Sequence, residues 1–219
     1  MALRIVARPS PNHGARRDGA PVDMLVLHYT GMTSAAAALE RLRDSRAEVS
    51  AHYLIDEFGL VYRLVAEERR AWHAGVACWA GERDINSRSI GIELANPGHD
   101  FGYRDFPEAQ IAALVELARG ILARHPIPPQ RVLGHSDVAP HRKIDPGERF
   151  PWRRLAAAGI GLWPDAAPPT DGGIAATQRA LRAFGYDVEA TGTMDDRTAG
   201  VIGAFQRHFR PARVDGTAD

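Results

Sequence analysis

The chain has 219 residues, 45% of them hydrophobic and 25% charged, enough for one well-buried domain and a small second one. Lys+Arg and Asp+Glu are equal at 27 each, so no net field draws the protein to nucleic acid or to an anionic membrane. One cysteine, Cys78, excludes an internal disulfide and a cysteine-rich metal site, and no apolar run approaches the roughly 20 residues of a membrane span.

Residues up to about Gly19 read as an irregular lead-in rich in Pro, Asn, Gly and Arg. Residues 1–9 lack the apolar stretch of a signal peptide. That points to the cytoplasm, with the periplasm or cell envelope as the alternative if a leader has been removed. The pairs Arg16-Arg17 and Arg69-Arg70 read as solvated surface. Residues 22–28 form a first buried strand ending on His28. Thr33 or Ser34 then caps a helix running to Arg43, with Leu39 and Leu42 on one face. Residues 51–56 and 60–65 are strand candidates joined by a Glu57-Phe58-Gly59 turn. A long loop carrying Trp72, His73, Trp79 and Asn86 leads to a second buried strand, residues 89–94, which holds Glu93.

Asp105 and Glu108 have capping-box spacing, and Pro107 suits a first turn. Ile111, Leu114, Val115, Ala118, Ile121 and Leu122 then recur at a 3.6-residue period. His125 falls in the last turn of that helix, where its positive form suits the dipole, and Pro126, Pro128 and Pro129 prevent continuation. Residues 131–135 are a third buried strand ending on His135, followed by a polar loop to Gly147 and a short helix near Leu155. Residues 164–173 read as a linker. One helix from about Ile174 to Phe184 stops at Gly185; another starts near Thr193 to Asp196 and spaces Val201, Phe205 and Phe209 four apart. The order predicts an α/β fold, a central mixed β-sheet flanked by helices over residues 1–163. A small helical domain over residues 174–219 has too thin a core to stand alone and should lean on the first.

His28, Glu93 and His135 sit at strand ends, and Asp145 in the adjoining loop. Two imidazoles and a carboxylate are good zinc ligands. Three protein ligands leave a fourth position for water, as catalytic zinc requires, whereas a closed structural site takes four. Glu93 is suited to move a proton between that water and a leaving amine. Lys143, two positions before Asp145, is suited to place positive charge where a carbonyl oxygen becomes an oxyanion. His141, between His135 and Asp145, is the rival for third ligand, and His52 reads as a supporting or core residue. Trp72 and Trp79 either offer flat faces to a sugar or peptide, or pack beneath their own loop.

The segments Leu27-His28-Tyr29-Thr30, Ala71-Trp72-His73-Ala74-Gly75, Ser89-Ile90-Gly91-Ile92-Glu93-Leu94-Ala95-Asn96, Gly134-His135-Ser136-Asp137 and Arg142-Lys143-Ile144-Asp145-Pro146-Gly147 together resemble the type 2 N-acetylmuramoyl-L-alanine amidases. That zinc family includes the AmpD-like recycling amidases and their envelope relatives. The likeness runs from about Pro21 to Trp152. It implies that His28, His135 and Asp145 bind zinc, that Glu93 and Lys143 are catalytic, and that Trp72, His73 and Asn96 belong to the substrate groove. The implied reaction cuts the amide between the lactyl group of N-acetylmuramic acid and L-Ala of the stem peptide, in peptidoglycan or muropeptides. Residues 178–209 resemble a type 1 peptidoglycan-binding domain, although the sequence stops at Asp219 where that pattern supplies another capped helix. A monomer is the default. Two rival functions remain: a non-catalytic peptidoglycan-recognition protein, which the full ligand set argues against, and a zinc peptidase acting within the stem peptide.

Overall fold

A six-stranded mixed sheet organises the chain, for which the computed structural model describes residues 3–165 and 172–218. Its order is β1 (Ile5–Ala7), β5 (Val61–Arg63), β4 (Tyr53–Ile55), β7 (Ser89–Leu94), β3 (Met24–Tyr29) and β8 (Val132–Gly134). A separate antiparallel pair joins β2 (His13–Ala15) to β6 (Arg69–Ala71). The central strands β4, β7, β3 and β8 run parallel, and β5 turns back against β4. Parallel strands are covered on both faces, which accounts for the nearly unbroken apolar runs of β3 and β7.

Alternation along β3 divides the interior. Leu25 and Leu27 join Ile90, Ile92 and Leu94 of β7 in a core with Ile111, Leu114 and Ile121 of α4 (Glu108–Arg124). Met24 and Val26 face the other way, into a second core with Trp79, Ile85 of α2 (Ile85–Arg88) and Leu133. Leu181 of α7 (Gly173–Phe184), Tyr186, and Val201 and Ile202 of α8 (Asp196–Phe209) complete that core. Each such side chain taken wholly out of water contributes roughly 1.5–3 kcal/mol. The C-terminal helices therefore lean on the sheet as expected. Trp79 meets the rings of Tyr186 and Phe184 edge-on, with centroids 4.9 and 5.8 Å away. Gly185 ends α7 at φ 140°, and a Cβ there would lie 2.5 Å from the Trp79 indole. Only glycine fits both demands.

Within the helical unit, two glutamines perform the same task, a repetition that the sequence reading did not pick out. Gln178 accepts from the Gly192 N–H and donates to the Thr193 carbonyl. Gln206 accepts from the Asp215 and Gly216 N–H groups and donates to the Thr217 carbonyl. Each buried amide thus satisfies a glycine turn that no strand or helix would satisfy.

The local expectations hold with several corrections. Ser34 caps α1 (Ala35–Arg43) by accepting from the Ala37 N–H, and the hairpin turn forms around Gly59 at φ +81°. The lead-in is not wholly irregular, because β1 extends the sheet edge and β2 pairs with β6. Asp105 does not cap α4: it pairs with Arg149, Glu108 pairs with Arg154, and extended Pro107 sets the entry. His125 lies just past that helix and meets Glu67 at 2.7 Å. Arg16 is not solvated surface; it donates to the carbonyls of Glu67, Asn86, Ser87 and Ser89 and ties β2 to the start of β7. Of the expected linker, residues 166–171 lie outside the described residues. No helix among the described residues is long and apolar enough to cross a membrane.

Since the second core joins residues from both ends of the chain, calorimetry should show one cooperative unfolding transition. Trp79→Ala should lower global stability by about 3–5 kcal/mol. Separate, earlier melting of the C-terminal helices would contradict a shared core.

Candidate metal centre

Strand register builds the site. In the parallel β3–β7 pair His28 stands beside Glu93, and Leu27 opposite Gly134 sets His135 next to His28. Three neighbouring strands thus deliver these side chains at their carboxyl ends, where open parallel sheets gather ligands. Asp145 comes from the loop after α5 (His135–Val138), and the Ser136 N–H fastens it by donating to the Asp145 carbonyl at 2.9 Å.

The result is a tight buried triangle. His28 Nδ1 lies 3.0 Å from His135 Nδ1, and each lies 3.1 Å from Asp145 Oδ2. Hydrogen bonding behind the triangle assigns the protons. The Ser89 hydroxyl donates to the Ile85 carbonyl, so it accepts from His73 Nε2–H at 3.1 Å. Neutral His73 then presents a bare Nδ1, which accepts from His28 Nε2–H at 3.1 Å. His135 Nε2–H donates to the Ala74 carbonyl at 3.0 Å. Both Nδ1 atoms are therefore lone pairs, and they face a carboxylate oxygen. Three acceptors without a proton between them repel one another unless a cation lies among them. Their spacing approaches the roughly 3.3 Å between donors of a tetrahedral ion with bonds of about 2.0 Å. The residues fit a divalent metal held by two nitrogens and one oxygen.

Electrostatics agree with that assignment. Burial, reinforced by His135, lowers His28 to about 4, so it is neutral at physiological pH. Burial also lowers His52 to about 3 and pushes His73 well down. Glu93 goes the other way: burial and the Asp145 charge push it far up against the pull of Lys143, and its Oε2 has no hydrogen-bond partner.

A cavity of about 520 Å³ opens over the triangle, lined by Tyr29, Trp72, Glu93, Arg142, Lys143 and Asp145 among others. The structure thus brings together the five residues expected as ligands and catalysts, with Trp72 in the wall. His73 reaches the cavity edge, but both ring nitrogens are engaged by His28 and Ser89. Asn96 is buried away from the groove, donating to the Arg104 carbonyl and accepting from the Gly98 N–H. His141, the rival ligand, is exposed and packs on Gly200 of α8. Trp79 is core. Supporting residues that sequence reasoning passed over are Asn86, whose Oδ1 accepts from the His73 and Ala74 N–H groups, and Ser89 and Gly91. The Ser89-Ile90-Gly91 alternation was the available signal: Ser89 and Gly91 both face His73, and a Cβ on Gly91 would sit 2.5 Å from its ring.

Gly91→Ala should therefore dislodge His73 and weaken divalent-metal affinity by about 10–100-fold, measured by competition with a chromophoric chelator; wild-type affinity would contradict the support assigned to His73. The metal-free protein should also carry a pH signature. Between pH 6.5 and about 4 for His28, and down to about 3 for His52, the unfolded chain binds protons that the folded imidazoles do not, so the stability they contribute is full above 6.5 and is lost as pH falls through that window. Raised Glu93 acts in the opposite sense, but alone. Melting temperature should decline across that window, and a flat profile would count against buried neutral imidazoles.

Comparison with known proteins places the chain. The family model for N-acetylmuramoyl-L-alanine amidase matches residues 18–148, and one for a peptidoglycan binding domain matches residues 170–219. The N-acetylmuramoyl-L-alanine amidase AmiD of Escherichia coli (strain K12) is 40% identical over 90% of this chain and 78% of its own. The structure of AmiD with the substrate anhydro-N-acetylmuramic acid-L-Ala-D-γ-Glu-L-Lys superposes with a TM-score of 0.82, covering 93% of this chain and 86% of that one. AmpDh3 from Pseudomonas aeruginosa, in complex with an anhydromuramic pentapeptide, gives 39% identity and a TM-score of 0.80 over 97% of this chain and 90% of that one. The 1,6-anhydro-N-acetylmuramyl-L-alanine amidase AmpD of Enterobacter cloacae is 34% identical over 68% of this chain and 87% of its own. With the fold, the buried donor triangle and these likenesses in agreement, the chain belongs to the N-acetylmuramoyl-L-alanine amidase family.

Proposed function

We propose that this amidase hydrolyses the bond between the lactyl carbonyl of N-acetylmuramic acid and L-Ala of the stem peptide, in muropeptides or peptidoglycan. It does so as a monomer, with zinc held by His28, His135 and Asp145. The single observation that carries the reading is the convergence of three bare donor atoms beside Glu93 at the floor of an open groove. Bound there, zinc supplies Lewis acidity toward a carbonyl and a water.

The chain's own residues account for the rest. Glu93, with one carboxylate oxygen unpartnered, takes the proton of the attacking water and delivers it to the departing amine of L-Ala. Its raised proton affinity suits the second half of that task. Lys143, on the same cavity wall, stabilises the oxyanion as the carbonyl becomes tetrahedral. Trp72 offers its face to sugar or peptide. His73 acts through His28 rather than on substrate, and Asn96 fixes the segment after β7. We assign catalysis to residues 1–163 and support to the helical unit over 174–219. The substrates named for AmiD and AmpDh3 make an anhydro-muropeptide the first one to try.

Mass spectrometry of a digested muropeptide should show free sugar and an intact peptide, and chelation should abolish both. A shortened peptide would mean a peptidase, and zinc binding without cleavage a recognition protein. Glu93→Gln should keep its zinc yet lose about 10²–10⁴-fold in kcat. Full turnover in that variant, or in metal-free enzyme, would overturn the mechanism.

A further inference from the structure

Asp137, two residues beyond His135, has a carboxylate that is 1% exposed and takes no part in the chemistry above. Its Oδ2 accepts from the Gly134 N–H and from His208 Nδ1–H, both at 2.7 Å, and its Oδ1 accepts from the Tyr186 hydroxyl at 2.6 Å. The first donor belongs to the turn that delivers His135; the other two belong to the C-terminal helical unit. His208 is itself fixed, stacked on Trp152 with centroids 3.7 Å apart and planes 18° apart. Tyr186 is locked edge-on against Trp79. A buried carboxylate holds a fixed position only while its donors do. Through Gly134 and Ser136, the position of Asp137 reaches two of the three metal donors, because the Ser136 N–H holds the Asp145 carbonyl. The far side of the same loop also rests on α8, where a Cβ on Gly200 would lie 2.7 Å from His141 Nδ1.

We propose that the C-terminal helices are a positioning part of the metal centre, with Tyr186 and His208 acting through Asp137 to hold His135 and Asp145 in register with His28. The inference rests on the metal-centre reading given above. A module known by likeness for binding cell wall would here serve as the rear wall of the active site. If it served only as a structural prop, its loss would lower melting temperature and leave the site's properties unchanged.

The test uses the full chain. Tyr186→Phe removes one donor, His208→Leu removes the other, and His208→Asn keeps an amide donor near the Nδ1 position. Zinc affinity by chelator competition, the visible absorption of the cobalt-substituted protein, and kcat and KM are read well below each variant's melting temperature. Tyr186→Phe and His208→Leu should weaken zinc binding by about tenfold. They should also alter the cobalt spectrum and lower kcat by about tenfold with KM within about twofold. His208→Asn should recover most of each loss. If Tyr186→Phe does not fold, the His208→Leu and His208→Asn pair decides alone. Lower melting temperatures with wild-type zinc affinity, cobalt spectrum and kcat would overturn the inference. Failure of the wild-type chain to bind zinc would instead overturn the reading beneath it.

Discussion

Three hydrogen-bond acceptors buried at one point, with no proton to share, are the constraint around which the rest of the protein is arranged. His28 Nδ1, His135 Nδ1 and Asp145 Oδ2 sit 3.0–3.1 Å apart, and left to themselves they would separate or gather protons. Neither outcome is open to them. The parallel register of β3, β7 and β8 fixes the backbone of both histidines. Hydrogen bonds behind the rings hold the protons on the outer nitrogens. Burial resists charging of His28. What remains is a site preorganised for a divalent cation, which is how a binding geometry is obtained without reorganisation when the ligand arrives.

Such a site destabilises the metal-free fold, and the compensation lies elsewhere. Glu93 is buried with an unpartnered oxygen and a depressed tendency to ionise. An unsatisfied buried polar atom costs about 1–3 kcal/mol. Buried apolar clusters offset that cost, and the one around Trp79 is completed by the C-terminal helices. Stability and function therefore meet in the same contacts. Tyr186 fills the second core with its ring and reaches Asp137 with its hydroxyl.

How much of this was legible in the sequence follows from the range of the forces involved. Strands β3 and β7 were readable because burial on both faces leaves a continuous apolar run, and β7 falls on residues 89–94 as expected. The Ser34 cap and the Gly185 stop were readable because they depend on local backbone chemistry. His28, His135 and Asp145 were readable as candidates from strand ends and one loop, and the family resemblance set them ahead of His141. Outer partners were not, because a histidine facing solvent and one facing another histidine look alike in sequence. The family resemblance puts His73 in the groove, whereas its ring turns inward to His28. Arg16 escapes a sequence reading because its partners include backbone carbonyls up to 73 residues away. Asp105 misled because capping-box spacing also arises where two acids form ion pairs with Arg149 and Arg154.

The central claim is most directly tested by anomalous diffraction at the zinc edge from crystals of the zinc-loaded protein. One peak is predicted, within about 2.0–2.2 Å of His28 Nδ1, His135 Nδ1 and an Asp145 oxygen, with no fourth protein atom in coordinating range. Binding through Nε2 of either histidine, a fourth side-chain ligand, or an ion seated elsewhere would contradict the account.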